Sequence, residues 1–355
     1  MARLGGDEFV IVVTELGDNP DAAFRHAGGI AAKLRERLNI AYPVGGHDYH
    51  LSASIGVALF PRDGNTAEEL LRHADVAMYQ TKQRGRDGIT FYQSSQLSHA
   101  NRRLELERDL RKALEQGQLL LHYQPKVGAD GQVIGAEALL RWRHPDLGMV
   151  PPLDFIPIAE ETGLIYPIGK YVMRTACAQL ARWRDRLPQR SLSLAVNVSP
   201  HQFRHADFVP CVTEAVRDFG VPADALIIEI TEGTMLDGID LVIARMRDLK
   251  ALGVAVSVDD FGTGYSSLYY LKNLPLDEIK IDQSYIRDLL EDANDAAIVE
   301  SIIAIARNLK LRTVAEGVET AAQADILRAM GCSVHQGYHY SRPLPLDEFE
   351  AFTRL

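Results

Sequence analysis

The sequence is poor in cysteine, in long apolar runs and in positive charge, and each shortage argues against a class of protein. Its 355 residues include three cysteines, Cys177, Cys211 and Cys332, which lie far apart and form no CxxC pair. This spacing suggests neither a zinc site nor a disulfide framework, and it favours free thiols in a reducing compartment. The formal net charge of −10 argues against a nucleic-acid duplex or an anionic membrane as the main partner.

Long apolar segments are also absent from the sequence. No run of about 18 uncharged apolar residues occurs, so we expect no membrane span. The start, MARLGGDEF, lacks the charged and then apolar build of a signal peptide. We therefore expect a cytoplasmic location, with any sensory or membrane-anchored part of a longer parent outside this chain.

The first ninety or so residues indicate a small α/β piece. EFVIVV (8–13) and DYHLSASIGVALF (48–60) are typical of strands, whereas residues 22–38 and 66–85 have helical spacing. Thr66, with Glu69 three residues later, predicts a capping box at the start of the second helix. Residues 94–117 are predicted to form a linker or connecting helix that leads into a second domain.

From about residue 105 to the C-terminus, short apolar runs alternate with helix-length segments. The runs are VIGAEALL, LSLAVNVS, ALIIEITE, VAVSVDD, EIKID, TVAEGVE and SVHQGY. Near-continuous apolar runs between helices are typical of a parallel sheet that is buried on both faces. This many units in roughly 250 residues fits a (β/α)8 barrel over 105–355, so the predicted fold class is α/β. A doubly wound open sheet is the structural alternative.

Each run carries, at or near its end, a residue suited to metal or phosphate chemistry. These residues are Glu137, Asn197, Glu229, Asp259, Asp260, Lys280, Glu316 and Gln336. In a barrel the carboxyl ends of the strands converge on one mouth, where active sites lie. Each residue alone is better explained by a helix cap, a turn or a solvated surface charge. The joint pattern is what indicates a site.

Electrostatics predicts that this site binds cations. Five carboxylates crowded with one lysine cannot all ionise unless cations compensate, and two divalent ions would balance the formal charge of −4. Oxygen ligands with one amide, and with neither cysteine nor histidine, favour Mg²⁺ or Mn²⁺ over zinc. Adjacent aspartates at one strand end suit a pair of metals about 4 Å apart, with one aspartate bridging both ions. Gly262 and Gly264 then allow a mobile loop beside the metals.

The ordered motifs EALLRW (137–142), NVS, EITE, DDFGTGYSSL, KIDQSYI, AEGVET and HQGYHYSRP resemble the EAL family of cyclic di-GMP phosphodiesterases. The resemblance covers about residue 105 to the C-terminus. It implies an EAL-type (β/α)8 barrel with one antiparallel strand, which hydrolyses cyclic di-GMP to linear pGpG with two Mg²⁺ or Mn²⁺ ions. No motif residue is missing, which favours an active enzyme. The alternatives are a non-catalytic cyclic di-GMP receptor and a purely structural interaction protein.

The resemblance also implies which residues bind the metals. The first metal would be held by Glu137, Asn197, Glu229 and Asp259. The second metal would be held by Asp259, Asp260 and Glu316. A water between the two ions would lose its proton and attack phosphorus.

The remaining roles implied by the resemblance concern catalysis and substrate. Lys280 would act with Asp260 and Glu316 in catalysis, either by orienting the water or by neutralising developing charge. Glu316 is also the candidate general base, a role that competes with metal ligation. Arg141 would bind a substrate phosphate, because its guanidinium matches phosphate geometry. Leu139 and Gln336 would line the substrate site.

Two further segments carry a resemblance. Glu232 would position the DDFGTGYSS loop, which in the family couples metal binding to homodimer contact, so we expect a homodimer. The front piece resembles the C-terminal half of a GGDEF domain, the diguanylate cyclase fold, because residues 5–9 spell that signature. The first helices and strands of that family, with their metal aspartate and guanine-binding residues, are absent. We therefore expect residues 1–93 to form a partial domain without cyclase activity.

Overall fold

The structure is a computed structural model that describes most of the chain. The described residues are 2–5, 8–14, 16, 20–39, 42–44, 47–49, 52–83, 87–92, 94–186, 189, 191–235, 238–262 and 271–353. Residues 6–7 of the GGDEF signature lie outside them. The chain divides into two compact units, Met1–Leu106 and Glu107–Leu355. In the described ranges, no helix has both the length and the apolar character that crossing a membrane requires.

The first unit contains short strands and long helices. Its elements are β1 (Ala2–Gly5), β2 (Glu8–Val10), α1 (Pro20–Leu38), β3 (Tyr42–Val44), β4 (His47–Tyr49), β5 (Ser54–Val57), α2 (Ala67–Gln83) and β6 (Gly88–Phe91). Strands β1 and β2 pair antiparallel, as do β3 and β4, whereas β5 and β6 pair parallel. The capping box is confirmed, because the N–H of Glu69 donates to Thr66 Oγ1 at 3.2 Å and the N–H of Thr66 donates to Glu69 Oε2 at 3.3 Å.

The prediction of one long strand over 48–60 is wrong. Strand β4 ends at Tyr49, and β5 covers only Ser54–Val57. The four residues of β6 limit the ladder that β5 can form. Beyond it the chain turns away, because the backbone N–H of Leu59 donates to the Asp63 carboxylate at 2.7 Å.

The second unit is built of alternating strands and helices. Helix α3 (Ser94–Ala113) contains the division between the two units, and it is followed by β7 (Leu119–Gly128), β8 (Val133–His144), β9 (Gly148–Val150), α4 (Pro152–Thr162), α5 (Ile165–Arg186), β10 (Ser193–Asn197), α6 (Pro200–Arg204), α7 (Phe208–Phe219), β11 (Leu226–Thr231), α8 (Ile239–Ala251), β12 (Ala255–Phe261), β13 (Glu278–Ile281), α9 (Gln283–Arg287), α10 (Ala293–Asn308), β14 (Arg312–Ala315), α11 (Ala321–Met330), β15 (Val334–His335) and α12 (Leu346–Thr353). Two short 3-10 turns lie at Ala223–Ala225 and Glu232–Met235.

Eight of these strands close into a barrel. The order is β10–β11–β12–β13–β14–β15–β7–β8, and a further pairing between β8 and β10 completes the ring. Strand β7 runs antiparallel to both of its neighbours, and the other six junctions in the ring are parallel. The predicted barrel with one antiparallel strand is therefore confirmed, and the open doubly wound sheet is wrong. Strand β9 extends β8 as an antiparallel hairpin.

The barrel interior changes from apolar to charged along its axis. Ala195, Ile227 and Ala255 are in register on three adjacent strands and form a buried apolar cluster. Two residues further along the first two strands, Asn197 is in register with Glu229. Alternate residues of a strand share a face, so Asn197 and Glu229 point into the barrel, as Ala195 and Ile227 do. The polar groups therefore lie toward the carboxyl ends of the strands.

Candidate active site

The side chain of Lys280 lies at the centre of the charged end of the barrel. Lys280 belongs to β13, and its side chain is only 1% exposed. Its Nζ atom lies 2.6 Å from Glu316, 2.9 Å from Glu229, 3.0 Å from Asp259 and 3.5 Å from Glu137. Glu137, Glu229, Asp259 and Glu316 therefore surround Lys280. All five residues were predicted to share a site because each lies at or near the end of an apolar run.

Two side-chain amides hold the carboxylate of Glu137. Asn197, at the end of β10, donates from Nδ2 to Glu137 Oε1 at 2.5 Å. Gln336, which follows β15 directly, donates from Nε2 to Glu137 Oε2 at 2.5 Å and to Gln124 Oε1 at 3.0 Å. Because Asn197 uses its nitrogen for Glu137, its amide oxygen is the atom left to ligate a cation.

Asp259 and Asp260 lie at a bulge in β12. Neighbouring residues of a regular strand point to opposite faces, so adjacent aspartates do not normally share a site. The register between β12 and β13 shifts between Val258 and Phe261, and Asp260 has a left-handed backbone conformation with φ of 55°. Aspartate visits this conformation more readily than most residues. The bulge therefore lets both carboxylates lie beside Glu316.

Asp259, Asp260 and Glu316 form an acidic group that could hold a metal ion. One carboxylate oxygen of each residue lies within 4.8 Å of the other two. Asp259 Oδ1 accepts the backbone N–H of Asp260 at 2.9 Å, which fixes the Asp259 carboxylate relative to the bulged backbone. Glu316 follows β14 directly, and its backbone N–H donates to the carbonyl of Ile281 at 3.2 Å.

Glu232 and Tyr285 hold Gly262 from two sides. The backbone N–H of Gly262 donates to Glu232 Oε2 at 3.1 Å, and the Tyr285 hydroxyl donates to the carbonyl of Gly262 at 2.5 Å. Gly262 has φ of 101°, and a Cβ there would lie 3.0 Å from the Tyr285 ring, so the position favours glycine. The predicted loop continues from this point, but residues 263–270, which include Gly264, lie outside the described residues.

Leu139 and Arg141 border a cavity beside the barrel mouth. Both residues belong to β8, and the cavity has a volume of about 670 Å³. Asn197 and Thr231 border it as well, and most of its remaining lining is apolar. A cavity of this size and lining suits a small-molecule ligand, and Arg141 provides a cationic group at its edge.

Four further residues lie at or beside the site and were not predicted from the sequence: Lys126, Glu278, Asp282 and Tyr285. Lys126 Nζ lies 2.7 Å from Glu229 Oε1 and 3.0 Å from Glu278 Oε1. The available signal was the alternation of polar and apolar residues in LLLHYQPKVG, since Lys126 lies on the polar face of that run. With Lys126, Glu278 and Asp282 added, seven carboxylates and two ammonium groups give a formal charge of −5.

The buried charges shift one another's pKa values in opposite directions. Burial favours protonation of Glu229, but the ammonium groups of Lys126 and Lys280 outweigh it and lower its pKa to about 2. Burial raises the pKa of Glu316 to about 8, although Lys280 opposes the rise. Burial and the charge of the preceding aspartate raise the pKa of Asp260 to about 6, and Asp282 adds to the rise. Burial also raises the pKa of Glu137, so Glu137, Asp260 and Glu316 are the acids with too little positive charge around them.

The donor set fits a hard divalent cation. Its atoms are carboxylate and amide oxygens, the ligands that Mg²⁺ and Mn²⁺ prefer. The buried Gln336 Oε1 atom has no hydrogen-bond partner in the described part of the chain, so the amide that holds Glu137 also has an unsatisfied polar acceptor. Cations bound here would supply the positive charge that Asp260 and Glu316 lack.

The stability of the metal-free protein is expected to fall with pH above neutrality because of Glu316. Its pKa is about 8 in the folded state, against an ordinary value of 4.5, so the folded chain retains a proton that the unfolded chain has lost. Stability therefore decreases as pH rises toward 8. Thermal unfolding in chelator at about pH 7.5 and about pH 8.5 tests this, since both values lie above most of the histidine titration.

The Glu316→Gln variant is the control for this pH effect. Glutamine cannot ionise, so the variant should lose less thermal stability between the two pH values than the wild-type protein does. Mn²⁺ should also reduce the loss of thermal stability that the wild-type protein shows between the two pH values. An equal loss in wild type and variant would contradict the assignment.

Comparison with known families agrees with this geometry. Residues 107–343 match the EAL domain family, and residues 1–88 match the diguanylate cyclase GGDEF domain. MucR of Pseudomonas aeruginosa, described as a bifunctional diguanylate cyclase/cyclic di-GMP phosphodiesterase, is 47% identical over 352 residues, which is 99% of this chain and 50% of MucR. NbdA of the same species, described as a cyclic di-GMP phosphodiesterase, is 41% identical over 100% of this chain and 44% of NbdA.

A solved structure is also similar to the barrel. It is described as the PaMucR phosphodiesterase in complex with c-di-GMP, and it is 48% identical with a TM-score of 0.67. The match covers 69% of this chain and 99% of the solved one. The chain spans about half the length of the curated relatives it matches. The barrel topology, the ordered motifs and these matches together show that the chain belongs to the EAL domain family.

Proposed function

We propose that the barrel hydrolyses one phosphodiester bond of cyclic di-GMP to give linear pGpG, with two divalent cations, Mg²⁺ or Mn²⁺. The observation that supports this most strongly is the convergence of Glu137, Glu229, Asp259 and Glu316 around Lys280 at the barrel mouth. Cyclic di-GMP is proposed as the substrate because the descriptions of MucR and NbdA name it and the similar solved structure is a complex with it.

The proposed metal ligands divide into two sets that share Asp259. The first set consists of Glu137, Asn197, Glu229 and Asp259. The second set consists of Asp259, Asp260 and Glu316, the acidic group whose oxygens lie within 4.8 Å of one another. When bound, the two cations would activate a water molecule as nucleophile and stabilise charge on the phosphate.

The side chains of this chain would orient the substrate and manage protons. Arg141 reaches the cavity edge, where its guanidinium can form paired hydrogen bonds to a phosphate. Leu139 lines the same cavity, and Gln336 fixes the orientation of Glu137. Lys280 carries positive charge among the carboxylates and can offset negative charge that develops on the phosphate. Glu316 lies beside Lys280 and among the proposed ligands of the second metal, where its carboxylate could accept a proton from the attacking water.

The test is to incubate the purified chain with cyclic di-GMP in Mg²⁺, in Mn²⁺ and in chelator, and to separate the nucleotides by chromatography. We expect pGpG with either metal and no product in chelator. Product that forms equally in chelator would contradict the metal-dependent mechanism. Tight binding without product in either metal would instead support the receptor alternative.

We also propose that the active form is a homodimer. The Glu232 contact to Gly262 fixes the start of the loop that the family uses to couple metal binding with dimer contact. Sedimentation of the chain at increasing concentration measures the association directly. A protein that stays monomeric at high concentration with full activity would refute this part of the proposal.

A further inference from the structure

Charged side chains of alternating sign run through the barrel below the proposed metal ligands. Arg312 Nη2 lies 3.6 Å from Glu278, Glu278 lies 3.0 Å from Lys126, Lys126 lies 2.7 Å from Glu229, and Glu229 lies 2.9 Å from Lys280. The Arg312 side chain is 48% exposed, whereas the other four are at most 3% exposed. The series therefore leads from solvent at the start of β14 to the buried metal ligands.

The register of the strands brings Lys126 to its two partners. Glu229, Ser257 and Glu278 are in register on the adjacent strands β11, β12 and β13. Lys126 comes from the antiparallel strand β7, and its ammonium group bridges the two glutamates on either side of Ser257. Ser257 is buried and small, so its strand places no bulky group between them.

Lys126 and Lys280 fix both oxygens of Glu229. Lys126 Nζ donates to Oε1 at 2.7 Å, and Lys280 Nζ donates to Oε2 at 2.9 Å. A carboxylate held at both oxygens cannot rotate without breaking a charged hydrogen bond. Glu278 in turn holds Lys126 at 3.0 Å from the side away from the metal ligands.

We propose that Lys126 and Glu278 are positioning residues that orient Glu229 as a metal ligand. The inference rests on the proposed function, because it concerns a ligand of the proposed first metal. Groups that hydrogen-bond to a metal ligand set its orientation and contribute to metal affinity. A buried ion pair by itself contributes little net stability compared with apolar residues of the same size. The effect of this pair should therefore appear in metal binding more than in folding.

The test is the double variant Lys126→Met/Glu278→Gln. It removes both charges of the pair, so neither Lys126 nor Glu278 remains as a buried charge without the other. Mn²⁺ binding is measured by calorimetry in the absence of substrate, together with the Mn²⁺ electron paramagnetic resonance spectrum. We expect the affinity for Mn²⁺ to fall by about 10-fold or more. Raising the Mn²⁺ concentration should restore most of the turnover, because every proposed ligand is still present.

Two further variants separate positioning from general destabilisation. Val256→Ala removes buried apolar volume from β12, so it should lower thermal stability and leave the Mn²⁺ affinity unchanged. Glu278→Gln alone keeps Lys126 on Glu229, and it should weaken Mn²⁺ binding less than the double variant does. If the double variant does not fold, the Mn²⁺ affinity of Glu278→Gln tests the proposal instead. An affinity equal to that of the wild-type protein would then overturn the proposal.

The failure of this inference can be distinguished from the failure of the proposed function. If the wild-type protein neither binds Mn²⁺ nor forms pGpG, the proposed function fails and the positioning proposal fails with it. If the wild-type protein does both and the double variant binds Mn²⁺ within about twofold of the same affinity, only the positioning proposal is overturned.

Discussion

Replacing Glu316 with glutamine is expected to lower the turnover of cyclic di-GMP by about 10³-fold, within the range for loss of a general acid or base. Glutamine has nearly the same shape, but it can neither accept a proton nor supply negative charge to a cation. Both proposed roles of Glu316, metal ligand and general base, therefore fail together. The turnover is measured as pGpG formed at saturating Mn²⁺, after a titration that shows saturation.

Substrate binding should survive the Glu316→Gln change, because Arg141 and Leu139 still line the cavity. Calorimetry with cyclic di-GMP in Ca²⁺ separates binding from chemistry. Glu319→Gln is the matched control, since it makes the same chemical change at an exposed position in the same segment. Turnover above a tenth of the wild-type value in Glu316→Gln would exclude this residue from the chemical step.

Replacing Lys280 with methionine is expected to destabilise the metal-free protein by about 3–5 kcal/mol, the cost of leaving buried charge without its partner. The fully buried ammonium group lies within 3.5 Å of four carboxylates, and methionine supplies no charge to replace it. Urea unfolding in chelator measures the loss. Mn²⁺ should then stabilise the variant more than it stabilises the wild type, because the cations supply the missing charge.

Lys250→Met is the control for the Lys280 prediction. Lys250 also pairs with a carboxylate, that of Asp277, but its side chain is 37% exposed. Solvent screens such a pair, so its loss should cost no more than about 1 kcal/mol. Equal unfolding midpoints for Lys280→Met and the wild type in chelator would show that Lys280 does not balance the buried acids.

The barrel could be predicted because its evidence is local in the sequence. Each of the seven apolar runs overlaps one of the strands β8 and β10 to β15, and buried strands are typically near-continuous in apolar residues. Strand β7 was not recognised, since Gln124 and Lys126 interrupt its apolar pattern. The prediction of one strand over 48–60 failed for a different reason. Strand β5 extends only as far as it pairs with β6, and that partner is distant in the sequence.

The candidate site could be predicted in part for a related reason. Barrel geometry brings residues at strand ends together, so Glu137, Glu229 and Glu316 could be grouped without knowing any distance. Lys126 could not be grouped with them, because it belongs to the antiparallel strand, whose carboxyl end lies at the opposite end of the barrel from those of the other strands. Tyr285 could not be identified either, since its partner is a backbone carbonyl that leaves no mark on the sequence.

The sequence by itself determined the alternation of strands and helices, the acids and the lysine at the strand ends, and the deficit of positive charge among them. The tertiary structure decided that Asp259 and Asp260 face the same site, because that requires the bulge in β12 and the left-handed backbone of Asp260. It also decided that Glu229 lies between two ammonium groups. Both outcomes depend on which strands become neighbours and in what register, and residues distant in the chain set that register.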